Sequence, residues 1–136
     1  MEVPDILGDH LSLRLPSWRP GRYEIANFAQ HIIHLSAHDE AGTPLLIEKS
    51  SKENWLIKTP ESRYVNIKYS YYAHQMDAGN SWLDEEQLYI NFINCMLYVE
   101  DRMEEPCLVD LHLPDDYTIA CGLNEKTRHS LWAESY

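Results

Sequence analysis

The sequence lacks the motifs that the commonest enzyme classes need. Its 136 residues contain no H-E-x-x-H zinc helix, no G-x-S-x-G nucleophile elbow, no P-loop and no dinucleotide-binding glycine motif. No apolar run approaches the roughly 20 residues that cross a bilayer. We therefore expect a soluble chain with no catalytic residues, no cofactor and no metal of its own, and no membrane partner.

Positive charge is also scarce. Lys and Arg total 11 against 22 Asp and Glu, which gives a formal net charge of −11. An acidic surface repels a phosphate backbone, so binding by counterion release is not expected. Nucleic acid is not expected as a partner.

Cysteines are few, and their number is odd. Cys95, Cys107 and Cys121 are spaced too widely for a C-x-x-C site, and each has apolar neighbours. This favours buried free thiols and a reducing compartment, with one disulfide plus one free thiol as the alternative. No signal peptide is visible at the N-terminus, so the cytoplasm is favoured over the periplasm.

What the sequence does contain is alternation of apolar and polar residues. Leu11, Leu13 and Leu15 interleave with Ser12 and Arg14, which predicts a strand with one buried face. The length suits a single domain over residues 1–136. We predict an all-β fold, a β-sandwich of about nine short strands, with short helical turns only at 27–31 and 124–128. The other predicted strands are 32–37, 44–47, 55–58, 64–73, 88–90, 95–99, 107–113 and 117–121.

The most distinctive segment runs from Leu13 to Phe28 and is called the corner segment below. Pro16 cannot donate a backbone hydrogen bond, and Pro20-Gly21 fits the two central positions of a β-turn. These residues predict a rigid corner with Trp18 and Tyr23 buried. Its structural residues are Pro16, Trp18, Pro20, Gly21, Tyr23 and Phe28.

The corner segment resembles the N-terminal domain of glycyl-aminopeptidase-type zinc metallopeptidases, which carries a Leu-Pro-x-Trp-x-Pro-Gly-x-Tyr corner and then a Phe-centred turn. Here the motif is Leu15 to Tyr23, and the turn is Asn27-Phe28-Ala29. Ordered matches over about 110 residues are far more specific than a lone Pro-Gly turn. The further matching stretches are 35–45, 52–55, 65–73 and 113–123.

The resemblance implies a saddle-like, non-catalytic N-terminal β domain that lacks the catalytic H-E-x-x-H domain and its zinc. Its expected partner is the catalytic domain of the same polypeptide, whose cleft it would help to shape. The first strand of the family's domain is expected to be absent, which would leave the strand at 11–15 as an unprotected edge. The sequence departs from the family at Ala26 and at Gly79-Asn80-Ser81-Trp82, where arginines are expected. The alternative is a stand-alone module that binds a peptide or a protein.

Two surfaces are candidates for contacts. An aromatic surface on the long Tyr-rich strand and the following loop is a candidate interface, and either this surface or the strand at 11–15 would support a homodimer. His31, His34 and His38 would share a helical face as a metal site, but a strand there favours surface or turn histidines. The candidate interface residues are Tyr71, Met76, Asn80 and Trp82.

Overall fold

A computed structural model of the chain describes residues 1–75 and 79–136. The fold is all-β, as predicted, and the described residues form twelve strands rather than about nine. They fall into two compact units, Met1–Glu100 and Asp101–Tyr136. Within the described ranges, no helix is both long enough and apolar enough to span a bilayer.

The first sheet of unit 1 contains β1 (Glu2–Pro4), β3 (Ile32–His38) and β6 (Tyr64–Tyr71) in the antiparallel order β1-β6-β3. Strand β1 was not predicted from the sequence. Its pairing is extended by Met1, whose ammonium group donates to the Ile67 carbonyl at 2.8 Å.

The second sheet of unit 1 contains β2 (His10–Arg14), β4 (Ile47–Lys49), β5 (Asn54–Lys58) and β9 (Tyr98–Val99) in the order β4-β5-β2-β9. The prediction that this leucine-rich strand is an unprotected edge is wrong. Strand β2 pairs along its whole length with β5, and Leu13 and Arg14 pair with β9 on the other side. A central strand offers no free ladder to a second copy.

The two sheets bury their inward faces in one core, which makes unit 1 a β-sandwich. The alternation in β2 is confirmed, because Leu11 and Leu13 are buried while Ser12 and Arg14 are only half-buried. Burying one such leucine is worth about 1.5–3 kcal/mol. Core residues come from both sheets and from the segments between them: Val3, Ile6, Leu11, Leu13, Leu15, Phe28, Ala29, Ala37, Trp55, Ile57, Val65, Ile67, Leu97 and Val99.

Short elements complete unit 1. The helical turn predicted at 27–31 is confirmed as a 3₁₀ turn, Phe28–His31. Strands β7 (Trp82–Leu83) and β8 (Leu88–Tyr89) form a small hairpin. The short helix α1 (Phe92–Cys95) ends at the first residue of the strand predicted at 95–99. The Tyr69 hydroxyl donates to the Cys95 carbonyl at 2.8 Å, and burial raises the pKa of Tyr69 to about 12.

Unit 2 is a sheet of three strands, β10 (Cys107–Asp110), β11 (Asn124–Thr127) and β12 (Ser130–Ala133), in the order β10-β12-β11. The helical turn predicted at 124–128 is wrong because this segment is β11. The strand predicted at 117–121 is also wrong, since these residues are irregular. Pairing with β12 outweighs the poor strand propensity of the polar β11.

All three cysteines are free thiols. Cys95 is half-buried, and burial raises the pKa of its thiol to about 11. Cys121 is exposed, so the expectation that all three are buried is wrong for this residue.

Candidate functional site

The corner segment contains the turn that its sequence predicts. The Arg22 amide donates to the Arg19 carbonyl at 3.4 Å, with Pro20 and Gly21 in between. Gly21 has a φ of 83°, the left-handed region that the third position of a type II turn requires. The proline and the glycine therefore occupy the positions for which their backbones are suited.

The predicted burial of Trp18 and Tyr23 is wrong. Trp18 is 49% exposed and Tyr23 is 100% exposed. The loop closes on itself through a 2.8 Å hydrogen bond from the Ala26 amide to the Ser17 carbonyl. Its anchors in the core, Leu15 and Phe28, lie outside this closed loop. Within the loop, only Ala26, at the closing hydrogen bond, packs partly against the core.

The closed loop instead presents large apolar side chains to solvent. Ile25 is 85% exposed and lies in the same loop as Trp18 and Tyr23. We call these three residues the corner surface. Because exposed apolar groups concentrated in one place mark interaction sites on soluble domains, the corner surface is a candidate interface.

Two depressions have Ile25 in their lining. The larger, of about 520 Å³, lies between the corner segment and the turn that joins β4 to β5. Pro16, Phe28 and Lys52 contribute to its lining. The smaller is a groove of about 190 Å³, lined largely by polar side chains: Arg22, Glu24, Asn27, Gln30, His31, Gln75 and Asn80.

A row of five aromatic and imidazole rings begins at the smaller groove. His31 contacts Tyr71 edge-on at 5.7 Å between ring centroids and stacks on Tyr72 at 6.2 Å. Tyr72 meets His74 at 6.4 Å, and His74 stacks on Trp82 at 4.3 Å. We call these five residues the ring row. It brings Tyr71 and Trp82 of the predicted interface onto one surface, which the sequence had not linked to the histidines.

The hairpin beside the ring row is fixed by one carboxylate. Asp84 accepts a hydrogen bond from the Trp82 indole N–H at 2.7 Å, and further bonds from the amides of Glu86 and Gln87. These hydrogen bonds hold the pKa of Asp84 below its usual range, with the indole making the largest contribution. Asp84 is therefore anionic at neutral pH and orients the Trp82 ring.

The predicted interface residue Asn80 lies in a polar network beneath the corner segment. Its side-chain oxygen accepts from the Asn94 amide at 3.3 Å, and Asn94 and Asn91 both donate to the Gly79 carbonyl. The Arg19 guanidinium packs directly on Gly79, where a side chain would overlap it. The fourth predicted interface residue, Met76, lies outside the described residues.

The three clustered histidines do not lie on one regular element. His31 ends the 3₁₀ turn, and His34 has a φ of 55° at an irregularity in the pairing of β3 with β6. In the part of the chain that the structure describes, no three His, Cys, Asp or Glu side chains are placed to hold a metal ion.

Comparison with known proteins identifies the family. Residues 1–136 match the Peptidase M61 N-terminal domain. The fold is similar to the crystal structure of an aminopeptidase N family protein from Idiomarina loihiensis, with a TM-score of 0.85 and 29% sequence identity. The match covers 98% of this chain and 24% of that protein's chain, so this chain spans about a quarter of its length. No curated protein matches the sequence. Because the family match extends over the whole sequence, the chain belongs to the Peptidase M61 N-terminal domain family.

Proposed function

We propose that this chain is the non-catalytic N-terminal domain of a zinc aminopeptidase of the glycyl-aminopeptidase type. The proposal is supported by the family match over residues 1–136 and by the likeness to an aminopeptidase N family protein about four times as long. In this proposal the zinc and the residues that activate water belong to a catalytic domain elsewhere in the same polypeptide. The chain itself supplies binding surface and no chemical step.

The corner surface is the observation that carries the docking part of the proposal. Trp18, Tyr23 and Ile25 leave much or all of their side chains in solvent, although large apolar groups gain most from burial. Tryptophan and tyrosine are also the residues that most often dominate the binding energy of interfaces. The catalytic domain would cover the corner surface and place a side chain in the 520 Å³ depression beside it.

The smaller, polar groove, which also has Ile25 in its lining, would then form part of one side of the catalytic cleft. Its lining offers amide and charged groups, including the Arg22–Glu24 ion pair at 2.6 Å. Such groups suit the backbone of a bound peptide, which needs both donors and acceptors. The domain would thereby shape substrate binding without touching the scissile bond.

The test has two parts. The polypeptide that carries this chain should contain an H-E-x-x-H motif within about 150 residues downstream. In that polypeptide, Trp18→Ala and Tyr23→Ala should lower aminopeptidase activity and weaken the attachment of the N-terminal domain, as measured by limited proteolysis. In the 136-residue chain alone, Trp18→Ala should cost less than about 1 kcal/mol of stability because the ring is half in solvent.

Leu7→Ala is the matched control, since Leu7 is 91% exposed and lies outside the corner surface. It should leave activity and domain attachment unchanged. The docking proposal is wrong if the corner variants behave like the Leu7 variant, and the peptidase proposal is wrong if no H-E-x-x-H motif follows.

A further inference from the structure

The ring row is accessible from solvent. Tyr72 is 55% exposed, and Tyr89, which pairs with Trp82 across the β7–β8 hairpin, is 53% exposed. The hairpin is tied to the row by a 2.7 Å hydrogen bond from the Leu83 amide to the Ala73 carbonyl. Ring faces and hairpin therefore form one continuous surface within unit 1.

The spacing of His31, Tyr72 and His74 is close to that of alternate residues in an extended peptide, whereas His74 and Trp82 stack at 4.3 Å and act as one unit. The centroid of Tyr72 lies 6.2 Å from that of His31 and 6.4 Å from that of His74. Alternate residues of an extended chain, which point to the same side, are about 6.6–6.8 Å apart. Successive side chains on one side of a bound strand would thus meet His31, then Tyr72, and then the stacked pair of His74 and Trp82.

Acidic side chains predominate in the hairpin beside the ring row, although Arg22 lines the neighbouring groove in an ion pair with Glu24, and Arg19 packs on Gly79. The sequence contains no Lys or Arg between Lys68 and Arg102, whereas Asp84, Glu85 and Glu86 follow one another in the hairpin turn. Asp84 is hydrogen-bonded directly to the indole of the ring row. Aromatic faces attract ammonium and guanidinium groups, and nearby carboxylates strengthen that attraction.

We infer that the ring row and the hairpin turn bind an extended peptide that carries Lys or Arg at alternate positions. The cationic side chains would lie over Tyr72 and Trp82 and against the carboxylates of the turn. The peptide backbone would continue towards the polar groove, whose lining shares His31 with the ring row. This inference deepens the proposed function, because it names the class of substrate that this side of the cleft would favour.

The probe is a pair of synthetic nine-residue peptides, one alternating Lys and Thr and one alternating Glu and Thr. Titration of the 136-residue chain, followed by calorimetry and by NMR shift changes, should show binding of the lysine peptide alone. Binding should weaken as salt rises, since the carboxylates contribute. Trp82→Ala and Tyr72→Ala should each weaken binding by about tenfold, as the loss of a desolvated cation–π contact predicts.

Two controls separate recognition from folding. Tyr72→Phe keeps the ring and should keep the affinity, and Tyr136→Ala removes a partly exposed aromatic from unit 2 and should change nothing. If Trp82→Ala disturbs the fold, Tyr72→Ala still tests the ring row because that side chain is more than half in solvent.

Equal binding of both peptides, or of neither, would overturn the inference. So would a dimer, seen by sedimentation, that the Tyr72 and Trp82 variants abolish, because the ring row would then be an interface between copies. The outcome is separate from that of the proposed function, which is tested at the corner surface and by the downstream motif. Lysine-peptide binding without an H-E-x-x-H domain would leave the inference standing and end the peptidase proposal.

Discussion

Glu100, the last residue of unit 1, is hydrogen-bonded to the polar side chains of strand β2. One carboxylate oxygen accepts a hydrogen bond from the Ser12 hydroxyl at 2.7 Å, and the other accepts from the Arg14 guanidinium at 2.6 Å. These bonds lower the pKa of Glu100, the Ser12 bond contributing most. The polar positions of the β2 alternation are therefore paired and not merely solvated.

This pairing makes the free energy of unfolding depend on pH in the acidic range. Because the pKa of Glu100 is lower in the folded state than its ordinary value of 4.5, its stabilisation is present above that value and is lost as the pH falls through the folded-state pKa. We expect Glu100→Gln to reduce the loss of stability between about pH 7 and about pH 3. Urea unfolding at both pH values measures the difference.

Replacement of the partner gives the control for this experiment. Arg14→Met should reduce the same acid dependence by less than Glu100→Gln does, because the Ser12 bond to Glu100 remains. The double variant should add little to Glu100→Gln alone, since that change already removes the Arg14 interaction. Two fully additive effects would show that Glu100 and Arg14 act separately.

The side chains of the corner segment show how far single residues can be predicted. Pro20 and Gly21 specify their turn by backbone chemistry alone, and that prediction is confirmed. Local sequence does not determine whether Trp18 is buried, because a tryptophan suits a core and an interface equally well. Its exposure depends on how the loop closes between Ser17 and Ala26, which is a tertiary fact that the sequence pattern does not contain.

At the scale of elements, alternation predicted the strands that have one buried face. Strands β2, β5 and β6 lie where the pattern places them because burial and side-chain period act together there. Strand β11 has no buried residue and no alternation, so only its pairing with β12 reveals it. The ring row was not predicted because its side chains come from a 3₁₀ turn, a strand end and a hairpin, which only the tertiary fold brings together.

The loop that precedes β7 should be sensitive to its glycine. Gly79 has a φ of 104° and lies directly under the Arg19 guanidinium, so Gly79→Ala introduces backbone strain and displaces that side chain. We expect it to cost about 1–3 kcal/mol of the free energy of unfolding. Thermal or urea unfolding provides the measurement.

Two other glycines provide control variants for this prediction. Gly21→Ala shares the positive φ but meets no neighbouring atom, so it should cost less than Gly79→Ala. Gly122→Ala has neither feature and should stay within about 0.5 kcal/mol of the original chain. The reverse order of the three variants would show that Arg19 does not hold the loop.

At the scale of the whole molecule, the two units differ in how much core each contains. Unit 1 buries apolar residues from two sheets, whereas Leu131 is the one fully enclosed hydrophobic residue of unit 2, all of which the structure describes. A unit of this size has too little interior to be strongly stable by itself. Other apolar side chains of unit 2, such as that of Leu108, which is 56% exposed, contribute little to that interior.

We expect local stability to be lower in unit 2 than in unit 1. Backbone amides open with free energies that rise with local burial, so the amides of β10 and β12 should exchange with deuterium faster than those of β2, β5 and β6. Hydrogen exchange followed by mass spectrometry measures both units in one sample. Leu131→Ala should speed exchange throughout unit 2 and leave β2 unchanged, whereas Leu13→Ala should cost about 2–5 kcal/mol and speed exchange in unit 1. Equal protection of the two units, or a Leu131 variant that affects both alike, would mean that the chain unfolds as one cooperative body.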